Sequence, residues 1–183
     1  RRNVDVWCAA LDDGVEAIVM TASGCGSMVQ DYARLLADDP HYAARAERVC
    51  DHVRDIAQVV GEAALEHFKW DGLAGRRIAY HPPCTLQHGQ QLHGVGEAIL
   101  TRLGVELTPV CDSHLCCGSA GTYSITQPEI SNSLREKKLA NLAAGEPEEI
   151  LTANVGCIHH LAAGTQTRVR HWIELLDEAV PAD

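Results

Sequence analysis

The chain has 183 residues and an acidic formal net charge of −10. This balance argues against a nucleic-acid-binding surface, which would need a basic patch. No apolar run approaches the roughly 18 residues of a membrane-spanning helix, and the first residues lack the apolar stretch of a secretory signal. We therefore expect a cytoplasmic protein with no membrane span of its own, long enough to form an ordinary hydrophobic core.

Short β-branched runs alternate with longer amphipathic stretches, a pattern that predicts an α/β fold with mostly parallel sheets and flanking helices. Residues 15–21 predict a buried strand, and helices are expected up to about residue 36 and over residues 41–68. Glycines at residues 71–75 then interrupt the pattern. We expect a domain boundary at this point, which separates residues 1–72 from residues 73–183.

The second part repeats the alternation of strand and helix. Helical stretches are expected at residues 92–103, at 129–144, from about residue 156, and at the end of the chain. Strands are expected at residues 77–81, 105–110, 149–152 and 169–172. In a parallel sheet the carboxyl ends of such strands share one edge, so the loops that follow them are expected close together.

An internal repeat relates the two parts. Residues 16–25 read EAIVMTASGC and residues 148–157 read EEILTANVGC. Each has a glutamate, an apolar strand, a polar turn and a Gly-Cys pair that opens a helix. Unrelated strand–turn–helix units can look alike, because such signals recur widely. We favour a tandem duplication whose first half is truncated.

Eight cysteines are spread along the chain. An even number is compatible with a disulfide framework, but such frameworks are typical of short secreted chains, so reduced thiols are expected here. Cys8 and Cys50 lie on apolar helical faces and are predicted to be buried. Cys111 is also predicted to pack in the interior. Cys25 opens the helix of the first repeat without other ligands nearby in sequence, so no complete metal site is expected there.

The remaining cysteines form a spaced set in the second part. Cys84 follows the strand at residues 77–81, the adjacent pair Cys116 and Cys117 lies in a Gly-rich loop, and Cys157 opens a helix. A single Zn²⁺ usually binds cysteines about two to four residues apart, because a loop must wrap around the ion. Neighbouring side chains diverge, so the adjacent pair favours a multinuclear iron–sulfur cluster.

The pattern Cys-x31-Cys-Cys-Gly-x38-Cys resembles the cysteine-rich CCG domain of heterodisulfide reductase and of several dehydrogenase iron–sulfur subunits. Within that group the likeness is strongest to the glycolate oxidase iron–sulfur subunit. It implies that Cys84, Cys116, Cys117 and Cys157 bind an iron–sulfur cluster. The likeness rests on HPPCTLQHGQQL from His81, SHLCCGSAGTYSITQPEIS from Ser113, TANVGC from Thr152 and RVRHWIELLDE from Arg168.

This chain departs from the family pattern in two places. The full motif ends in Cys-x-x-Cys, whereas His160 and Met28 occupy its last position in the second and first copies. Imidazole can replace thiolate on iron, so His160 is expected as a further metal ligand, while Met28 is a much poorer one. An inherited set of cysteines that no longer holds metal is the alternative. The ferredoxin-type 4Fe–4S motifs of the family are absent from these residues.

The resemblance implies an electron-transfer and assembly subunit, itself non-catalytic, of a complex that oxidises glycolate to glyoxylate. FAD is expected on partner dehydrogenase subunits, which would also bring the complex to the inner face of the membrane. The ferredoxin-type sites and the rest of the first CCG half are expected upstream of Arg1. Two alternatives stay open: a related complex that acts on lactate, glycerol 3-phosphate or a heterodisulfide, and a metal-free or zinc-stabilised scaffold that only docks partners.

Overall fold

The computed structural model describes residues 1–62, 65, 70 and 72–180. Within this part of the chain, six strands form two parallel sheets that are flanked by helices. The prediction of an α/β fold with parallel sheets is therefore confirmed. None of the described helices is both long enough and apolar enough to cross a bilayer.

The first sheet has two strands, β1 (Ile18–Met20) and β2 (Val53–Asp55), which pair in parallel. Helix α1 (Arg2–Asp12) precedes β1, and α5 (Ile56–Glu62) follows β2. Between the strands lie α2 (Ser23–Gln30), α3 (Tyr32–Leu35) and α4 (Ala43–His52). Their apolar side chains form a small core, which contains Val4, Cys8, Leu11, Ile18, Val29, Ala46, Val49 and Val53.

The second sheet has four parallel strands in the order β4-β3-β5-β6. The strands are β3 (Arg77–His81), β4 (Glu106–Leu107), β5 (Glu149–Thr152) and β6 (Arg168–His171). A short π-helical turn (Thr85–Gly89) follows β3, and the other helices are α6 (Val95–Arg102), α7 (Tyr123–Thr126), α8 (Pro128–Ala143), α9 (Val155–Ala162) and α10 (Trp172–Ala179). Because all four strands are parallel, their carboxyl ends lie at one edge.

The central strands β3 and β5 are buried on both faces, and successive side chains alternate between two cores. Ile78, Tyr80 and Leu151 face a core that also contains Trp172. Ala79 and Ile150 face the opposite core, which contains Cys117, Cys157, Leu142 and Leu161. Cys117 and Cys157 therefore pack against one face of the sheet, and the larger hydrophobic core packs against the other.

Most predicted elements of the second part are confirmed, and β3 and β5 match their predicted bounds. The continuous helix predicted over residues 41–68 is wrong, because α4 ends at His52 and β2 follows it directly. Parallel pairing with β1 buries the Val53 and Asp55 side chains, and this tertiary contact overrides the helical period of the apolar residues. Residues 63, 64 and 66–68 of that prediction lie outside the described residues.

The two sheets meet close to the carboxyl ends of β1 and β5. The backbone N–H of Ser23 donates a hydrogen bond of 3.1 Å to the carbonyl of Ala153, and its hydroxyl lies 2.8 Å from that of Thr85. The side-chain amide of Gln90 donates to the Ser23 carbonyl at 3.0 Å. These contacts place α2 of the first repeat beside α9 of the second, and in both helices the repeated cysteine is the third residue.

Candidate metal centre

Cys84 lies where β3 gives way to a tight turn. The strand ends at His81 and two prolines follow. Cys84 then immediately precedes the π-helical turn Thr85–Gly89. Proline cannot continue strand pairing through its nitrogen, so the chain leaves the sheet at this point. The side chain of Gln87 is buried and donates a hydrogen bond of 2.8 Å to the Pro82 carbonyl. This contact fixes the turn that presents the Cys84 thiol at the carboxyl edge.

The adjacent cysteines lie in the long loop between β4 and α7. The N–H of Gly118 donates to the Cys116 sulfur at 3.3 Å. The hydroxyl of Ser131, on α8, donates to the Gly118 carbonyl at 2.8 Å. Cys117 is fully buried, whereas Cys116 is partly exposed. The two neighbouring sulfurs therefore occupy different environments.

Cys157 lies in the first turn of α9, just beyond β5. The Asn154 side chain caps this helix by accepting a hydrogen bond of 3.2 Å from the Gly156 N–H. A helix amino terminus favours negative charge, because its first N–H groups are free and the helix dipole is positive there. The buried Cys157 sulfur is therefore in a position that suits a thiolate.

The structure brings these cysteines together at the carboxyl edge of the second sheet. Their sulfurs form a continuous series of thiol contacts, in the order Cys84, Cys116, Cys117, Cys157. A ring nitrogen of His81 and the sulfurs of Cys117 and Cys157 all lie within 4.8 Å of one another. Among the described residues, the buried His81 ring interacts with the Cys157 sulfur, and its nitrogens have no oxygen or nitrogen hydrogen-bond partner. A buried imidazole with so few partners has a nitrogen available to bind a metal.

The sulfur contacts shift the thiol pKa values in opposite directions. Hydrogen bonds from Cys117 and Cys84 lower the pKa of Cys116. A hydrogen bond from Cys117, with the nearby His81 ring, lowers the pKa of Cys157 to about 6. The pKa values of Cys84 and Cys117 are raised, because these thiols donate to their neighbours and are partly desolvated. The sulfur contacts thus favour the thiolate form, the form that binds metals, at Cys116 and Cys157.

A cavity of about 420 Å³ opens directly in front of the sulfurs. Cys84, Cys116 and Cys157 line it together with Gly24 and Cys25 of the first repeat. Clustered cysteine sulfurs, a neighbouring imidazole and a cavity beside them match what an iron–sulfur cluster requires. The residues present therefore fit the group that the sequence predicts here.

Comparison with known proteins places these features in a family. Residues 78–162 match the CCG family model, described as a cysteine-rich domain. The chain is 30% identical over 169 residues to lactate utilization protein A of Geobacillus kaustophilus (strain HTA426), covering 87% of this chain and 69% of that protein. It is 32% identical over 177 residues to the uncharacterized protein YkgE of Escherichia coli (strain K12), covering 92% and 72%. The chain belongs to the CCG cysteine-rich family.

A third relative has a higher identity. This CCG chain is 47% identical over 180 residues to the glycolate oxidase iron–sulfur subunit of Escherichia coli (strain K12). The match covers 98% of this chain but 44% of that protein. The chain therefore spans less than half the length of that relative, and it is a homologue of an oxidoreductase iron–sulfur subunit.

His160 lies next to the CCG loop but is engaged elsewhere. Its Nε2 lies 3.2 Å from the Ser131 hydroxyl and 3.3 Å from the Ser131 carbonyl. It is outside the group formed by His81, Cys117 and Cys157. Its assignment as a metal ligand stays a prediction.

His81 is the residue that sequence reasoning missed as a candidate ligand. His81 and Ala79 are two residues apart on β3, so their side chains point to the same face of the sheet. Ala79 packs in the core that contains Cys117 and Cys157. The alternation along β3, together with the position of His81 at the carboxyl end of that strand, was the signal that could have identified it.

The predictions for the cysteines outside this group are confirmed only in part. Cys8 is buried in the first core, as predicted. Cys50 is half-buried, and its thiol donates to the carbonyls of Val29 and Gln30 at 3.3 and 3.4 Å. The interior position predicted for Cys111 is wrong, because this residue is exposed in the loop after β4. Cys25 is exposed but lines the same cavity as Cys84.

The backbone conformation and a close contact explain why the CCG motif has a glycine, and this explanation can be tested. Gly118 has a φ of +97°, and a Cβ there would overlap the Ser131 carbonyl oxygen and lie 3.0 Å from His160 Nε2. Gly121 also has a positive φ, +54°, but a Cβ there meets nothing within 4 Å. We expect Gly118→Ala to lower the free energy of unfolding by about 3 kcal/mol or more, because steric overlap adds to backbone strain.

Gly121→Ala is the matched control for Gly118→Ala. It introduces only the backbone cost of a side chain at positive φ, about 1 kcal/mol. Urea unfolding of both variants measures the difference. Equal losses of stability would show that the contact between Gly118 and Ser131 does not constrain the loop.

Proposed function

We propose that this chain forms the cysteine-rich part of the iron–sulfur subunit of a glycolate-oxidising complex. It conducts electrons and docks partners, whereas the oxidation of glycolate to glyoxylate takes place at an FAD on a partner dehydrogenase subunit. The observation that carries this proposal is the series of four contacting cysteine sulfurs at the carboxyl edge of the second sheet, where Cys84, Cys116 and Cys157 also line one cavity. The 47% identity to a glycolate oxidase iron–sulfur subunit supports the choice of complex.

Cys84, Cys116, Cys117 and Cys157 are the proposed ligands of the cluster. When bound, an iron–sulfur cluster supplies a one-electron carrier whose potential depends on its charge, its hydrogen bonds and its exposure. The chain's own residues hold the thiolates in place, and the core around Leu142, Leu161 and Cys117 shields one side of the site from water. The cavity beside Cys84, Cys116 and Cys157 is also lined by Cys25.

An imidazole completes the proposed set of donors. His160 stands at the motif position of the missing cysteine, and His81 lies with Cys117 and Cys157 within 4.8 Å. Imidazole carries no negative charge, so its binding in place of a thiolate would raise the reduction potential. The geometry favours His81 for this role, because its ring nitrogens lack other partners among the described residues.

The proposal divides the chain into two units. Residues 73–183 form a complete cysteine-rich unit with its own sheet, and residues 1–72 form the remainder of a preceding CCG half. The ferredoxin-type 4Fe–4S clusters would then lie upstream of Arg1. Partner subunits would hold the assembly in the cytoplasm, at the inner face of the membrane.

Two other functions are each favoured by one observation. The 30% identity to lactate utilization protein A of Geobacillus kaustophilus (strain HTA426) favours a related complex with a different substrate. The compact group of His81, Cys117 and Cys157 has the dimensions of a single tetrahedral metal site, which favours a zinc-stabilised docking scaffold. Both alternatives predict different results in the experiment on the whole complex.

That experiment isolates the complex anaerobically through a tag on the natural full-length subunit. Glycolate is expected to bleach the visible iron–sulfur absorption, while lactate and glycerol 3-phosphate leave it unchanged on the same timescale. A flavin subunit is expected in the same preparation. Bleaching by lactate alone would identify the related complex, and a preparation with zinc but neither iron nor flavin would leave only the scaffold.

A further inference from the structure

Lys138 lies in the middle of α8 and is 2% exposed. Lysine is almost never fully buried unless its charge is paired, since removing an ammonium group from water costs several kcal/mol. Other positions of α8 are exposed and would accept a lysine without this cost. The buried charge of Lys138 therefore requires a compensating partner. The neighbouring Lys137 shows the ordinary arrangement: it is exposed and lies 3.2 Å from the Asp112 carboxylate.

The hydrogen bonds of Lys138 engage two of its three N–H donors but do not neutralise its charge. Its amine donates to the backbone carbonyls of Asp112 at 2.7 Å and of Ser113 at 3.3 Å. The nearby Asp112 carboxylate pairs with Lys137, and among the described residues Lys138 forms no ion pair of its own. Carbonyl oxygens are dipoles and neutralise a cation only in part, so a net positive charge stays in the interior.

The position of Lys138 relative to the cysteines points to its counter-charge. One face of α8 is buried and carries Ser131, Lys138 and Leu142. Ser131 holds the Gly118 carbonyl, just after the cysteine pair, and Lys138 holds carbonyls just before it. The next residue, Leu139, packs with Leu142 in the core that contains the cysteine pair.

Electrostatics link the same groups. Burial lowers the pKa of Lys138, and the sulfurs of Cys84, Cys117 and Cys116, together with Asp112, oppose this shift. Negative charge at the site therefore stabilises the ammonium form. A thiolate-ligated iron–sulfur cluster carries net negative charge and becomes more negative when it is reduced.

We infer that Lys138 is a positioning residue of the cysteine site, which clamps the loop before Cys116 and supplies a fixed positive charge that favours the reduced cluster. This inference rests on the proposed binding of an iron–sulfur cluster. It assigns two separable effects to one side chain: its N–H groups order the loop, and its charge raises the reduction potential.

Three substitutions separate these effects. Lys138→Arg keeps charge and donors, Lys138→Gln keeps an N–H donor without charge, and Lys138→Met removes both. Each protein is reconstituted anaerobically with iron and sulfide, and we measure metal content, midpoint potential by a spectroscopic redox titration, and thermal unfolding of the metal-free form. Lys137→Gln is the matched surface control, because it removes the same charge from the adjacent, exposed position.

We expect Lys138→Gln and Lys138→Met to lower the equilibrium constant for cluster reduction about tenfold, a shift of about 59 mV for a one-electron couple. Lys138→Arg and Lys137→Gln should keep the wild-type potential. Lys138→Met alone should also destabilise the metal-free protein, because the loop then loses its donor.

The outcomes distinguish this inference from the proposed function. If Lys138→Gln retains both the potential and the iron content of the wild type, the charge of Lys138 has no role at the site and the inference is wrong. If the wild type itself takes up no iron while its metal-free form is folded, the proposed function fails first, and the inference falls with it.

Discussion

Replacing Cys117 with alanine is expected to reduce the iron and inorganic sulfide bound after anaerobic reconstitution to background. Cys117 is one of the two middle sulfurs of the series, in contact with those of both Cys116 and Cys157. The sulfur of Cys116 is already in contact with that of Cys84, so one sulfur would have to serve two positions if Cys117 were removed. Iron and sulfide analysis of the purified variant measures the effect.

Cys111→Ala is the matched control for this substitution. Cys111 lies in the same loop but is exposed and outside the group of contacting sulfurs, so its loss should leave iron and sulfide at wild-type levels. Circular dichroism of both metal-free variants separates loss of ligand from loss of fold. Wild-type iron content in Cys117→Ala would exclude this sulfur as a ligand.

Removing the imidazole of His81 is expected to weaken cluster retention by at least about tenfold. Loss of a group that supports a metal ligand typically costs 10- to 100-fold in metal affinity, and loss of a direct ligand costs more. His81 lies with Cys117 and Cys157 within 4.8 Å, and among the described residues its nitrogens have no oxygen or nitrogen partner to lose. Competition with an iron chelator measures retention in His81→Ala.

The same measurement on His160 variants tests the alternative ligand. If His160 binds iron, His160→Cys should keep the iron and lower the midpoint potential, because a thiolate adds negative charge. If His160 only braces the loop through Ser131, His160→Cys should leave the potential unchanged. Weak retention in His160→Ala with full retention in His81→Ala would reverse the assignment that the geometry favours.

Local patterns were sufficient to predict the second sheet. The runs at residues 77–81 and 149–152 are short, apolar and buried on both faces, so periodicity and turn residues located β3 and β5 correctly. The long helix at residues 41–68 failed because Val49, Val53 and Ile56 fit a helical period, while the pairing of β2 with β1 depends on residues far away in the chain. Sequence patterns report local spacing and do not report such pairing.

The candidate site was likewise predictable only in part from the sequence. The spacing of the cysteines predicted which of them would follow parallel strands, because their loops share the carboxyl edge. The role of His81 depends on the direction of its side chain relative to the sheet, and that of Lys138 depends on how α8 packs against the loop. Cys111 was misjudged because a cysteine in a loop can face either the core or solvent.

The most direct test of the iron–sulfur assignment is X-ray absorption at the iron edge of the wild-type chain after anaerobic reconstitution. We predict iron surrounded mainly by sulfur, with a second shell of iron that identifies a multinuclear cluster, and equal amounts of iron and inorganic sulfide. A folded chain that takes up no iron, or that binds only zinc at the cysteines, would contradict the claim that this site holds an iron–sulfur cluster.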